Sequence, residues 1–232
     1  MSGAAIVIGA SGGIGAALEA ALIEEGAFDV VHGFARSRVG PQHIDLTDEA
    51  SIAAAARIVA AGPAPTLIIV ATGLLHDGER GPEKAIKDLD PIWLAHTVAV
   101  NAIGPAIVAK HFLPLLPRGG RSVFAVLSAR IGSITDNRLG GWYGYRASKA
   151  ALNMFMRTLA IEDKRRNDRG IVVALHPGTV DTALSRPFRG TVQPGHLFDA
   201  ERAALQLLDV IEALRPPDSG KVFDYEGKEI AP

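Results

Sequence analysis

A chain of 232 residues and 24.4 kDa is long enough for one well-buried α/β domain and short for two. With 24 Lys and Arg against 25 Asp and Glu it carries no basic footprint for nucleic acid, and with no cysteine it has no disulfide, thiolate nucleophile or cysteine-based metal site. A hydrophobic content of 48% marks a folded globular protein, and the seven histidines lack the spacing of a metal site.

The chain alternates short apolar runs with helical stretches, the pattern of parallel βαβ units. Ala4–Ile8 reads as the first strand, Ile14–Glu25 as a helix ended by Gly26, and Val30–Phe34 as the second strand. Thr47 reads as the N-cap of an alanine-rich helix that stops at Gly62-Pro63, with Asp48 and Glu49 suited to the positive end of its dipole. Leu67–Val70 is a buried strand, and Asp90-Pro91 is an N-cap and N1 pair opening a helix toward Phe112. Ser122–Leu127 is another strand, followed by a polar loop to Gly141 and a helix that carries Tyr145 to about Arg165. Ile171–Leu175 is a strand closed by His176-Pro177-Gly178, Asp181–Phe198 reads as a mobile loop, and Lys221–Asp224 is a short final strand. No boundary divides residues 1–232, so a single domain is expected. No run reaches the ~18 apolar residues of a membrane span, and no basic n-region precedes a cleavage site, so a cytoplasmic protein free of the membrane is the expectation.

Two local patterns carry chemistry. Gly9-Ala10-Ser11-Gly12-Gly13-Ile14-Gly15 joins a strand to a helix, where backbone N–H groups can approach a pyrophosphate; a plain strand–helix turn has the same appearance. Tyr145 and Lys149 lie four residues apart on one helix face, and a nearby cation favours the phenolate, bringing Tyr145 toward proton transfer near neutral pH. On its own such a pair is more commonly an ordinary exposed helix contact than a catalytic one. Tyr143 has no lysine four residues on and reads as a packing or substrate contact.

The glycines 9, 13 and 15, Asn101, Tyr145 with Lys149, and Pro177-Gly178 occur in an order and spacing that resembles the short-chain dehydrogenases/reductases over essentially the whole chain. The stretch from Gly132-Ser133-Ile134 through Gly140-Gly141-Trp142-Tyr143-Gly144-Tyr145-Arg146 to Ser148-Lys149 is similar to the branch holding the C-factor signalling protein and sniffer-type carbonyl reductases. The resemblance implies a Rossmann-like, doubly wound parallel sheet of about seven strands with helices on both faces. It implies hydride transfer between a nicotinamide and a carbonyl or alcohol carbon of a small molecule. Tyr145 would be the general acid/base, and Lys149 would lower its pKa and hold the nicotinamide ribose. A homodimer or homotetramer through the Asn101 and Tyr145 helices is the family expectation. The alternative is a nucleotide-binding signalling protein of the C-factor type with little or no turnover.

Asn101 matches the family's helix asparagine, and Pro105 four residues on has no N–H, so the Asn101 carbonyl would lose its helical partner and be free to join a proton relay. The carbonyl-binding serine is expected at Ser128, with Ser133 as the alternative: the first lies further from Tyr145 than in the family and the second closer. Where many relatives have Asn-Ala-Gly, this chain has Ala71-Thr72-Gly73, and Thr72 is a candidate to recover part of the lost hydrogen bonding. The cofactor contacts implied are Gly9, Ser11, Gly13, Ile14, Gly15, Ala71, Thr72, Gly73, Tyr145, Lys149, Pro177, Gly178, Thr179, Val180 and Thr182, with Asp45 at the adenine or capping the next helix. The second strand ends without a carboxylate at Arg36-Ser37-Arg38, which suits a 2′-phosphate and gives NADP(H) preference over NAD(H). His176 reads as a strand-end residue, since Tyr145 fills the role of base.

Overall fold

The structure is a computed structural model that describes residues 3–78, 80–191, 195 and 197–232. Its strands are β1 (Ala4–Ile8), β2 (Val30–Phe34), β3 (Pro65–Val70), β4 (Ser122–Leu127), β5 (Gly170–His176), β6 (Thr179–Val180), β7 (Leu197–Phe198) and β8 (Val222–Asp224). Its α-helices are α1 (Gly13–Glu25), α2 (Glu49–Ala60), α3 (Pro91–Val98), α4 (Gly104–Phe112), α5 (Tyr143–Asp163) and α6 (Ala200–Ala213). Six strands form one parallel sheet in the order β2-β1-β3-β4-β5-β8, and β6 pairs with β7 in a separate two-residue ribbon.

The doubly wound sheet follows from its strand sequences. Ala4, Ile6 and Ile8 pack toward α2, α4 and α5, while Ala5 and Val7 pack toward α1 and α6, so both faces of β1 are buried. Among the described residues the sheet has six strands, against the expected seven or so. His43 pairs with Ala35 in an isolated bridge next to a 3-10 turn at Gly40–Gln42, where Pro41 has no N–H to extend a ladder.

The helix starts follow their caps. Asp48, not Thr47, caps α2, accepting from Ala50 N at 2.9 Å. Thr47 instead turns back and gives both its N–H and its hydroxyl to Asp45 Oδ1, at 2.8 and 2.7 Å. Asp90 caps α3 as expected, accepting from Trp93 N at 2.8 Å, with Pro91 in the first turn. No expected element covers α6, whose Asp199 cap accepts from Arg202 N and whose Ala203, Ala204, Leu207, Val210 and Ile211 are buried.

The stretch Pro91–Leu115 is long and apolar enough to cross a membrane by length and composition. In this fold it is a core helix, with Ala102, Val108, Ala109 and Phe112 packed in the same cluster as β1, β3 and β4. It is not regular. A π-helical turn spans Ala99–Ile103, where Gly104 N donates to Ala99 O. Strands β2 and β3 leave β1 on opposite sides, so a switch point opens above the carboxyl end of β1, the position where ligands bind in open α/β sheets.

Candidate active site

The glycine turn fills that switch point. Gly9 leaves β1 with φ of 94°, and Gly12 N donates back to Gly9 O at 2.9 Å. A Cβ on Gly15 would stand 2.1 Å from Gly9 O, and one on Gly13 would stand 2.6 Å from Thr182 Cγ2. No side chain caps α1 and no acidic residue lies in its first turn, so its leading N–H groups and positive end are left for an anion. A chamber of about 360 Å³ opens beside it, lined among others by Gly9, Ser11, Arg36, Ser37, Asp45, Thr72 and Gly73. Among the described residues, Thr72 Oγ1 is buried there with no hydrogen-bond partner. These features fit a dinucleotide.

The two expected arginines part company. Arg36 and Ser37 line the chamber, whereas Arg38 is outside it. The Arg38 guanidinium grips both carboxylate oxygens of Glu19 on α1 and donates to Gly33 O at 2.7 Å. Asp45 also borders the chamber; hydrogen bonds from the Thr47 side chain and backbone hold its carboxyl below the usual range, with Arg36 and His43 adding to the effect.

At the other end of the turn, α5 delivers Tyr145 to a cleft of about 420 Å³. One turn on, Lys149 is only 2% exposed and donates from Nζ to Leu127 O at 2.8 Å, with Nζ 5.7 Å from the Tyr145 ring centre. Burial pushes the Tyr145 phenol up to about 12 and the Lys149 ammonium down to about 7. Desolvation is the cause of both shifts. Near neutral pH the site holds a neutral phenol, a proton donor.

Asn101 sits in the π-helical turn and ties three elements together. Its carboxamide accepts from Leu74 N at 2.7 Å and donates to Leu74 O at 2.8 Å and to Ser148 Oγ at 3.0 Å. Ser148 in turn donates to Tyr145 O at 2.9 Å. The helix at Asn101 is irregular, and Pro105 four residues on has no N–H to offer its carbonyl.

Of the two candidate serines, Ser128 lines the cleft with Tyr145. Ser133 is outside it: its hydroxyl contacts Pro232 O at 3.4 Å and accepts from Asp136 N at 3.1 Å, fastening the chain's last residue. Ser128 Oγ donates to Asn153 Oδ1 at 2.7 Å, a partner that the sequence reading did not single out.

The remaining wall is largely apolar, with Ile14, Leu75, Trp142, Leu184 and Phe188. Pro177, Gly178, Thr179, Val180 and Thr182 also line it, while Ala71 packs into the core beside β1. Trp142 has φ of 52° and ψ of 43°, the left-handed backbone that bulky side chains rarely adopt. Its N–H donates to Glu83 O at 2.5 Å, and its indole lies 4.9 Å from the Phe188 ring and 6.3 Å from that of Tyr145. Phe188 belongs to the expected loop over Asp181–Phe198, of which residues 192–194 and 196 lie outside the described residues. Asp181 N donates to Phe198 O at 2.7 Å, closing the loop's ends beside the β6–β7 ribbon. His176 closes β5 in the cleft wall, and burial with Arg130 and Lys149 lowers its imidazole to about 4 against the pull of Asp224, so it is neutral near pH 7. Among the described residues no group of three or more metal-ligating side chains is assembled.

A doubly wound sheet with a glycine turn at its switch point and a buried tyrosine–lysine pair beside it defines a Rossmann-type oxidoreductase. The family model for short chain dehydrogenase matches residues 3–193, and the chain belongs to that family. The C-signal of Myxococcus xanthus is 37% identical over 172 residues, covering 74% of this chain and 95% of that protein. A 1-hydroxy-2-glutathionyl-2-methyl-3-butene dehydrogenase of Rhodococcus sp. (strain AD45) is 32% identical over 186 residues, 79% of this chain and 76% of that one. Among solved structures, the NADPH-bound carbonyl reductase from chicken fatty liver superposes with a TM-score of 0.79 at 26% identity, covering 98% of this chain and 93% of the other. The C-signal and carbonyl reductase matches agree with the branch that the sequence resembles.

Proposed function

We propose that the protein is an NADP(H)-dependent reductase of small-molecule carbonyl compounds. The observation that carries this reading is the convergence of Tyr145 and Ser128 on one cleft, with Lys149 buried behind them. When bound, the cofactor supplies a hydride to the carbonyl carbon. Ser128 donates a hydrogen bond to the carbonyl oxygen, and the neutral Tyr145 phenol gives it a proton as charge builds there. Lys149 and the Asn101 segment steady the tyrosine and offer a route for its reprotonation. The wall of Leu75, Trp142, Leu184 and Phe188 favours an apolar or aromatic carbonyl compound and keeps water from the reacting carbon.

NADP(H) is favoured by Arg36 and Ser37, which line the chamber after a strand β2 that itself ends without a carboxylate, and by the NADPH bound in the chicken reductase. The cytoplasm is the proposed location. Met154, Phe155 and Ile161 remain exposed on α5, which supports a homodimer or homotetramer through that helix.

The experiment is NADPH oxidation against a panel of aldehydes, ketones and diketones, run beside NADH and a Tyr145→Phe protein. Turnover that falls on the order of a hundred-fold or more in Tyr145→Phe is the expected result. Normal NADPH binding with no turnover across the panel, or equal rates in both proteins, would overturn the reductase and favour a nucleotide-binding signalling protein.

A further inference from the structure

We propose that Asn153 is the positioning residue for Ser128, deciding whether the serine proton is held in the wall or handed to a substrate carbonyl. The inference rests on the reductase reading of the cleft.

Tyr145, Lys149 and Asn153 are spaced four residues apart on α5 and therefore share one face of the helix. That face grips the end of β4 at consecutive residues. Lys149 Nζ takes the carbonyl of Leu127, and Asn153 Oδ1 takes the hydroxyl proton of Ser128 at 2.7 Å. The acid/base, the buried amine and the partner of the serine are thus fixed on a single rigid element.

A serine hydroxyl has one proton. In the arrangement seen, that proton is committed to Asn153, so Ser128 cannot also donate it to a carbonyl oxygen. A carboxamide offers an acceptor at one end and two donors at the other. Turning over about its last torsion, Asn153 would present Nδ2–H to Ser128 Oγ and release the serine proton toward the cleft. Among the described residues neither end of the Asn153 carboxamide makes another hydrogen bond, so no partner opposes the turn. A carbonyl oxygen arriving beside Tyr145 would supply the acceptor that makes the turned arrangement the better one. Every group would then be satisfied: Asn153 donates to Ser128, and Ser128 donates to substrate. Only the carboxamide and the hydroxyl rotate, and no covalent bond changes.

Three variants test this. Asn153→Ala leaves Ser128 unoriented and should lower kcat about ten-fold with little change in KM or in NADPH affinity. Asn153→Asp keeps the shape but is acceptor-only when ionised, so it holds the serine proton. Its rate should be low at neutral pH and climb as the pH falls and the carboxyl becomes a donor, a rise that the wild type lacks. Ser128→Ala with Asn153→Ala should be no slower than Ser128→Ala alone, because the asparagine acts only through the serine. Wild-type kcat with a wild-type pH profile in Asn153→Asp, or fully additive losses in the double variant, would overturn the proposal. A crystal structure of Asn153→Ala supplies a readout independent of turnover. Ser128 should leave its present rotamer; retention of that rotamer would count against Asn153. Loss of turnover in the wild type itself would defeat the reductase reading, and the crystallographic comparison would still decide the role of Asn153.

Discussion

Lys149 and Leu127 are joined by a hydrogen bond of 2.8 Å from a buried ammonium group to a backbone carbonyl, and burial holds that amine near pKa 7. The fold pays a pH-dependent cost for this contact. Below pH 7 the lysine is protonated in both the folded and unfolded states, and the folded state bears the full desolvation of a charge. Between about 7 and the unfolded value of 10.5, only the unfolded state binds the proton, so this group's contribution to stability rises with pH. Lys149→Met removes the titration. The melting temperature of the variant relative to wild type should therefore be highest near pH 6 and decline toward about pH 9.5, while NADPH-dependent turnover is lost. A difference in melting temperature that stays flat across that range would show that the lysine is not desolvated as described.

Arg36 and Arg38 are two residues apart in sequence but make different predictions. Arg36 faces the chamber, so Arg36→Ala should weaken NADPH binding on the order of ten-fold or more and leave NADH binding nearly unchanged. Arg38 is engaged by Glu19, whose side chain is 16% exposed, and Gly33 makes room for the pair because a Cβ there would meet Glu19 Oε1 at 1.9 Å. Arg38→Ala should lower the melting temperature by stranding Glu19, with the NADPH-to-NADH affinity ratio preserved. Calorimetric titration of both nucleotides into both variants decides the matter; a larger loss of selectivity in Arg38→Ala would reverse the assignment.

The strands were legible where both faces are buried. The bounds of β1 and β4, buried at every position, coincide with their apolar runs because a continuous hydrophobic run bounded by turn residues has few other uses. The glycine turn and the Tyr145–Lys149 pair were legible because their spacing is local. What escaped depends on partners distant in sequence. Whether Arg38 faces a phosphate or Glu19, and whether Ser128 meets Asn153, is set by packing between elements that a local pattern does not encode. Asn153 did leave a signal, its four-residue step from Lys149, but that spacing has meaning only once β4 is known to end beside α5. The helix α6 is a different case: its buried positions 203, 204, 207, 210 and 211 follow a helical period, and its Asp199 cap precedes them, so the pattern was available.

The glycine turn predicts a graded series of alanine variants. A Cβ at Gly12 would stand 3.3 Å from Gly9 O, a contact relieved by a shift of a few tenths of an ångström, and Gly12 has an ordinary negative φ of −79°. Gly12→Ala should fold and bind NADPH nearly as wild type does. At Gly13 the obstacle is Thr182 Cγ2 at 2.6 Å, a side chain that can rotate away at the expense of the cleft wall. Gly13→Ala should keep its melting temperature and lose cofactor affinity. At Gly15 the obstacle is the backbone itself, with Gly9 O at 2.1 Å and Gly9 C at 2.7 Å, so the turn must open and α1 must move from β1. Gly15→Ala should lose both stability and cofactor binding, by several kcal/mol if the overpacking cost of about 1–3 kcal/mol adds to a broken turn. Thermal melts and NADPH titrations on the three proteins separate these outcomes, and a Gly15→Ala protein with wild-type melting would mean that the close approach of α1 to Gly9 is wrong.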